Sequence, residues 1–308
     1  MAHLLTEAGH TVRLFDKSRG LGGRLCHRRS EHGRFLHGLQ FAHIRSKKVQ
    51  DLLQPWLRAP HSTTLDSVGY CSTEQGWTKA HEANRVRFFP ETSTICKHWV
   101  QNTSVHLQTR VTHIEQLDTG WVVCSGDQRW SCDQLVISLP YTQLLELMPE
   151  TCRDSVQQSI TVKETPACSV MIRFANPVHL PENFEHAFLE DAGSYPIRWI
   201  SKQSSCLYGR HWTCVLDGTW TDTHWKMPEN DVLRTLKHPL EQVFNQPLPP
   251  IEWSNVHWWK YAFSESIQCT QQHFSGMNLT IIGDGTSQHR GVEGAILSAD
   301  EGFAAQTS

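Results

Sequence analysis

Residues 14–24 read LFDKSRGLGGR, and the fold turns on this stretch. A short apolar run closes on Asp16 and leads into Gly20, Gly22 and Gly23, with Lys17, Arg19 and Arg24 beside them. An acid at the carboxyl end of a parallel strand can accept from both hydroxyls of an adenosine ribose. Glycines let backbone amides come close to a phosphate, and arginines supply charge and paired donors. A plain turn former at Asp16 and a glycine-rich surface turn flanked by solvated arginines are the alternatives. The order of acid, glycines and arginine favours a nucleotide site.

Upstream, AHLLTEAGHTVRLFD reads as the last turns of a helix, a stop at Gly9 and a buried strand over Thr11–Phe15. That is the second half of a βαβ unit. Downstream, SKKVQDLLQPWL is amphipathic and predicts a helix from a Ser46 cap, broken near Pro55. Alternation over residues 104–117 and 120–139 predicts meandering antiparallel strands. The apolar run from Gln134 to Leu139, ended by Pro140, predicts a buried strand of a central sheet. Residues 151–261 are rich in tryptophan, proline and short β-like runs.

A second constellation lies at the other end, IIGDGTSQHRGVEGAILSADEGFAAQ, Ile281 to Gln306. An apolar strand running into Gly283-Asp284-Gly285 puts a carboxylate where open α/β sheets bind ligands. A helix opening at Gly291–Gly294 would aim its first amides at the same crevice, kept slim by Gly294, Ala295, Ser298 and Ala299. Tight packing of that helix on the sheet is the structural alternative.

Composition narrows the function. The 308 residues carry a formal net charge of −3 and no long basic run, which gives no footing for nucleic acid or an anionic membrane. No apolar run approaches the ~20 residues of a membrane span. Ten scattered cysteines without a C-x-x-C pair read as reduced thiols of a cytoplasmic protein, and nineteen histidines show no metal-ligand spacing.

FDKSRGLGGR near the start, HRR at 27–29, LHGLQF at 36–41, VHWWKYA at 256–262 and GDGTSQHRGVEGAILSADEGFAA near the end occur in order. Together they resemble the flavin amine-oxidase superfamily, and within it the renalase-like NAD/FAD-dependent oxidoreductases. The resemblance implies an α/β plus α+β fold: a Rossmann-like FAD-binding domain with an antiparallel-sheet substrate domain. The expected division is 1–45, 86–150 and 270–308 for FAD, and 46–85 and 151–269 for substrate.

Carried over by position, the resemblance assigns Asp16 to the adenosine ribose and Gly22, Gly23 and Arg24 to the pyrophosphate, beside Lys17 and Arg19. Gly283 and Asp284 would meet the ribityl and pyrophosphate region, and Gly291, Val292, Gly294 and Ala295 the flavin ring. His37, Gln40, Trp199, Trp220, His257 and Tyr261 are candidates for the substrate face. The implied reaction is hydride transfer from a small donor to FAD and onward to oxygen. A reduced nicotinamide dinucleotide, NAD(P)H or its isomers, is the first expectation and an amine the second. The first needs placement more than a general base.

Three departures qualify the match. No G-x-G-x-x-G occurs in the sequence, Leu36 stands where the motif has an acid, and Trp258 and Lys260 stand where arginines are usual. The chain opens inside the helix that would follow such a loop, which leaves the Val12–Phe15 strand beside an unpaired gap. An incomplete N-terminus of a working enzyme is the favoured expectation. A short, catalytically silent homologue acting as a binding or regulatory protein, or a sheet completed by another chain, are the alternatives.

Overall fold

The computed structural model describes residues 1–65, 68–72, 75–79, 84–89, 91–190, 196–203 and 209–307. The first helix, Ala2–Glu7, stops at Gly9, whose φ of 89° only glycine adopts freely. The strand that follows is Arg13–Phe15, shorter than expected at its start, and it pairs in parallel with Ser104–His106. Residues 104–106 therefore leave the expected antiparallel meander. The amide of Asp16 donates to His106 O and that of Thr109 to Asp16 O, which locks the chain reversal after the parallel pair. The meander itself comprises His113–Leu117, Gly120–Ser125 and Gln128–Cys132.

Leu135–Ile137 forms the next strand, in parallel with Leu279–Ile281. Pro140, lacking an amide hydrogen, ends the run and starts the helix Tyr141–Leu147. Among the described residues, Arg13–Phe15 and Leu135–Ile137 each pair along one edge. Phe15, Trp121, Ile137, Leu279 and Ile281 share one apolar cluster, so side chains unite what backbone hydrogen bonds leave as separate sheets.

A seven-stranded sheet takes its strands from residues 68–79 and 160–269. Two long strands, Ile160–Phe174 and Ile251–Cys269, pair antiparallel along one edge. Cys168, Val170, Ile172 and Phe174 face one way with Trp212, Cys214 and Leu216, following the period of two. The helix Glu229–Phe244 covers that face through Val232, Leu236, Leu240, Val243 and Phe244.

This helix corrects the β-rich reading of residues 151–261, as do Glu150–Ser159 and Gly218–Thr223. Its apolar residues recur every three or four positions, and Glu229 and Asp231 in its first turn suit the positive end of the dipole. The interior Pro239 had masked that period.

The other face of the large sheet meets the hairpin His27–Ser30/Gly33–Leu36 and the loop 37–41. The helix Lys47–Leu53 passes into a 3-10 turn containing Pro55, as expected, and packs through Val49 and Leu53. Ile296 and Leu297 of the last helix, Gly291–Thr307, join that cluster.

Candidate functional site

Three loops converge at carboxyl ends of strands. The first follows Phe15. Asp16 Oδ1 accepts from the Ser18 amide at 2.8 Å, and Oδ2 has no hydrogen-bond partner among the described residues. Lys17 and Arg19 are exposed. At Gly22, with φ of 113°, a Cβ would stand 2.8 Å from Ser93 Cβ, so only glycine lets the loop lie against the helix Ser93–Trp99. Gly23, at φ 50°, opens instead onto empty space.

Arg24 is the crossing point. Its Nη2 donates to Asp284 Oδ1 in an ion pair, and its Nη1 donates to Ala262 O at 3.0 Å. That carbonyl is free for it because Trp259 pairs with Ala167 and Phe263 with Thr165, which leaves residues 260–262 bulged out of the ladder. The bulge holds Tyr261, with the Lys260 ammonium 5.2 Å from its ring centroid.

The second loop follows Ile281. Asp284 is 5% exposed, and Gly283, at φ 141°, has open space where a Cβ would go. The Gly283 amide donates to Ser298 Oγ at 3.0 Å, tying the loop to the last helix. That helix opens at Gly291, again with positive φ and open space, and its first-turn amides have no acceptor within the helix. A Cβ on Gly294 would stand 2.0 Å from His289 O. Ala295 is exposed, whereas Val292 turns into the apolar cluster around Val49 and Leu53.

The third loop carries residues 36–41 across the large sheet. Trp259 Nε1 donates to His37 O at 2.7 Å and Ser169 Oγ to the same oxygen at 2.6 Å. The His37 ring stands edge-on to His257 at 4.7 Å and stacks on Trp259 at 5.4 Å. Gln40 Nε2 donates to Leu36 O and Gly38 O, holding the loop in shape. At the far end Phe41 packs 4.9 Å from Trp199, which shares the sheet face of His257 two strands away from Ser169's own strand.

His37 and His257 thus meet, while Gln40 and Trp199 lie at the other end of the same row. Trp220 does not join them. It stacks on His224 at 4.3 Å and lies parallel to Trp258, whose side of the strand is opposite to that of His257. Trp259, Cys26 and Arg28 are participants that motif reading passed over. The alternation His257, Trp259, Tyr261 was the available signal.

Burial pushes His37 down to about 3, with His257, Arg28 and His27 adding positive charge against protonation. Burial and Arg28 lower His257 as well. Burial raises the Cys26 thiol, whose Sγ lies 3.5 Å from His37 Nε2. At neutral pH these groups are an uncharged surface that can orient a ligand, and His37 is too weak a base to take a proton from an amine.

Open glycines at 20, 23, 283 and 291, a carboxylate oxygen on Asp16 without a partner among the described residues and the helix start at Gly291 are thus the features left open in these loops. The model for the flavin containing amine oxidoreductases matches residues 93–302, and the chain belongs to that family; its cofactor is FAD. Solved structures of the same fold agree over almost the whole chain. Cyclohexylamine oxidase from Brevibacterium oxydans superposes with a TM-score of 0.75 at 11% identity, covering 99% of this chain and 95% of that one. Putrescine oxidase bound to putrescine gives 0.74 at 10% identity, covering 100% and 96%. A protein from an Exiguobacterium species, assigned as a protoporphyrinogen oxidase, gives 0.77 at 10%, covering 99% and 95%.

Proposed function

We propose that this protein is an FAD-dependent oxidoreductase that takes a hydride from a small donor and passes the electrons to oxygen. The observation that carries this reading is the convergence of the Gly22–Arg24 loop, the Gly283–Gly291 loop and the His37–His257 row at one place. Asp16 would hold the adenosine ribose, Gly22 to Arg24 and Asp284 the pyrophosphate and ribityl region, and Gly291 to Ala295 the ring. Bound FAD would accept two electrons and a proton as hydride, and dioxygen would take both electrons, with that proton and one more from solvent, as hydrogen peroxide.

The first candidate donor is a reduced nicotinamide dinucleotide or an isomer of it, in line with the renalase-like motifs. Its oxidation needs no base, which suits imidazoles held neutral at neutral pH. His37, His257, Trp259 and Tyr261 would place the dihydropyridine ring, with water excluded by the indoles. An amine is the second candidate. Residues 1–45, 86–150 and 270–308 would form the FAD-binding part, and 46–85 and 151–269 the substrate part. A cytoplasmic location fits the nine described cysteines, all free. No described helix is long and apolar enough to cross a membrane.

The test is colour followed by turnover. The purified protein should be yellow or become so with added FAD, and anaerobic NADPH or NADH should bleach it, with peroxide appearing when air is admitted. A protein that stays colourless with FAD would instead be the binding or regulatory homologue. A yellow protein bleached by amines alone would exchange the donor and keep the flavin reading.

A further inference from the structure

Between the hairpin 27–36 and the edge of the large sheet, His37 and His257 are joined by Arg28, to which the proposed cofactor and donor contacts give no part. Arg28 pairs with Phe35 across the hairpin, so both side chains project from the same face. Phe35 stacks on Trp253 at 4.8 Å, which turns that face towards the strand Ile251–Cys269. Along this strand Trp253, Asn255 and His257 alternate onto the hairpin side. Arg28 lies near enough to His37 and His257 for its charge to oppose the protonation of both, and the two rings are 4.7 Å apart.

This cluster is short of partners. Arg28 Nε, His37 Nδ1 and Asn255 Oδ1 are inaccessible to water, and none makes a hydrogen bond among the described residues. His37 itself is only 5% exposed. The Arg28 guanidinium makes no ion pair among the described residues, whereas the adjacent Arg29 grips Glu91 with both carboxylate oxygens at 2.5 and 2.7 Å. The charges that reach His37 and His257 are positive. Buried polar atoms in folded proteins find partners; the Asn255 oxygen is itself an acceptor, whereas the rest of the Arg28 guanidinium, which is not among these inaccessible atoms, is open beside two imidazoles and complementary to a planar or tetrahedral oxyanion.

We propose that Arg28, His37 and His257 form a receptor for an anionic group, carboxylate or phosphate, carried by the electron donor. The proposal rests on the reading that this face of the sheet is the donor side of the FAD site, and it adds that the donor is acidic. A simple unsubstituted amine would leave the receptor empty.

The test is a calorimetric titration of the FAD-loaded protein at low ionic strength with inorganic phosphate and, separately, benzoate. Saturable binding of either is expected, and the tighter of the two names the source of the anion. Arg28→Gln should weaken it at least tenfold and Arg28→Lys by less, because lysine keeps the charge but not the fork. Arg29→Gln, which alters charge next door, should leave it unchanged. Thermal melts establish that each variant is folded, and the lysine variant carries the comparison if the glutamine variant is not. The proposal is overturned if neither anion binds, if Arg28→Gln binds like the wild type, or if Arg29→Gln loses as much. Where the protein takes up FAD, the proposal is overturned too if binding is seen without FAD and lost with it, since the anion site would then be the cofactor's own. A protein that remains colourless while still binding anions through Arg28 would remove the flavin reading and leave the receptor standing.

Discussion

The Asp284 carboxylate holds the Arg24 guanidinium across 260 positions of sequence, and the same guanidinium also donates to Ala262 O. One side chain thereby ties together the loop after Phe15, the loop after Ile281 and the bulge in the long edge strand. Because Asp284 is buried and Arg24 is 38% exposed, the pair sits where a phosphate can share the guanidinium without dismantling it.

Removing the carboxylate should cost both stability and cofactor. Asp284→Ala leaves Arg24 without its counter-charge and is expected to lower stability by about 1–3 kcal/mol, discounted for the solvent that reaches Arg24. FAD affinity should fall at least tenfold, read from the flavin retained after dialysis. A variant that binds FAD like the wild type would remove Asp284 from the cofactor's surroundings.

Glycine substitutions should sort by the space each Cβ would enter. Gly294→Ala drives a methyl to 2.0 Å from His289 O, a backbone atom that cannot step aside. Gly20→Ala points into open space, and φ there lies outside the positive region. Denaturant unfolding should therefore show a loss on the order of 2 kcal/mol or more for the first and under about 0.5 for the second.

Acid sensitivity follows from His37. Its folded pKa lies near 3, below the ordinary value of 6.5, so the unfolded chain takes up the proton first. The stability it contributes is complete above about pH 6.5 and is lost progressively as pH falls towards 3. Between pH 7 and pH 5 the wild type should lose about 2 kcal/mol that His37→Gln does not lose. Urea midpoints of both proteins across that window check this, and parallel curves would place the titrating groups elsewhere.

Glu293 should prove structural although it stands in the first turn beside Gly291 and Gly294, the glycines proposed to meet the cofactor. Its Oε1 accepts from the amides of Arg45 and Ser46, which begin the helix Lys47–Leu53, so it caps a helix other than its own. Glu293→Ala should cost about 1–2 kcal/mol in melting experiments and leave the FAD dissociation constant of the folded protein within about threefold. A selective loss of FAD affinity would assign it to the site instead.

Local chemistry was legible in the chain itself. The stop at Gly9, the break near Pro55, the end of a strand before Pro140 and the order of Asp16, the glycines and Arg24 each follow from backbone freedom or a missing donor, which act over a few residues. The helix Glu229–Phe244 was hidden by its own Pro239 and by neighbouring tryptophans, because composition over a long window averages away a period of 3.6. Pairing across the chain was beyond sequence: that Ser104–His106 lies parallel to Arg13–Phe15 depends on how a crossover closes. The same holds for the candidate site. Sequence supplied Asp16, Arg24, Asp284, His37 and His257 as residue types near suitable motifs. The tertiary structure alone brought His37 against His257, sent Trp220 to the opposite face and left Arg28 beside the two imidazoles without an ion pair among the described residues. Each of those outcomes depends on strand register, and a shift of one residue turns every side chain to the other face of the sheet.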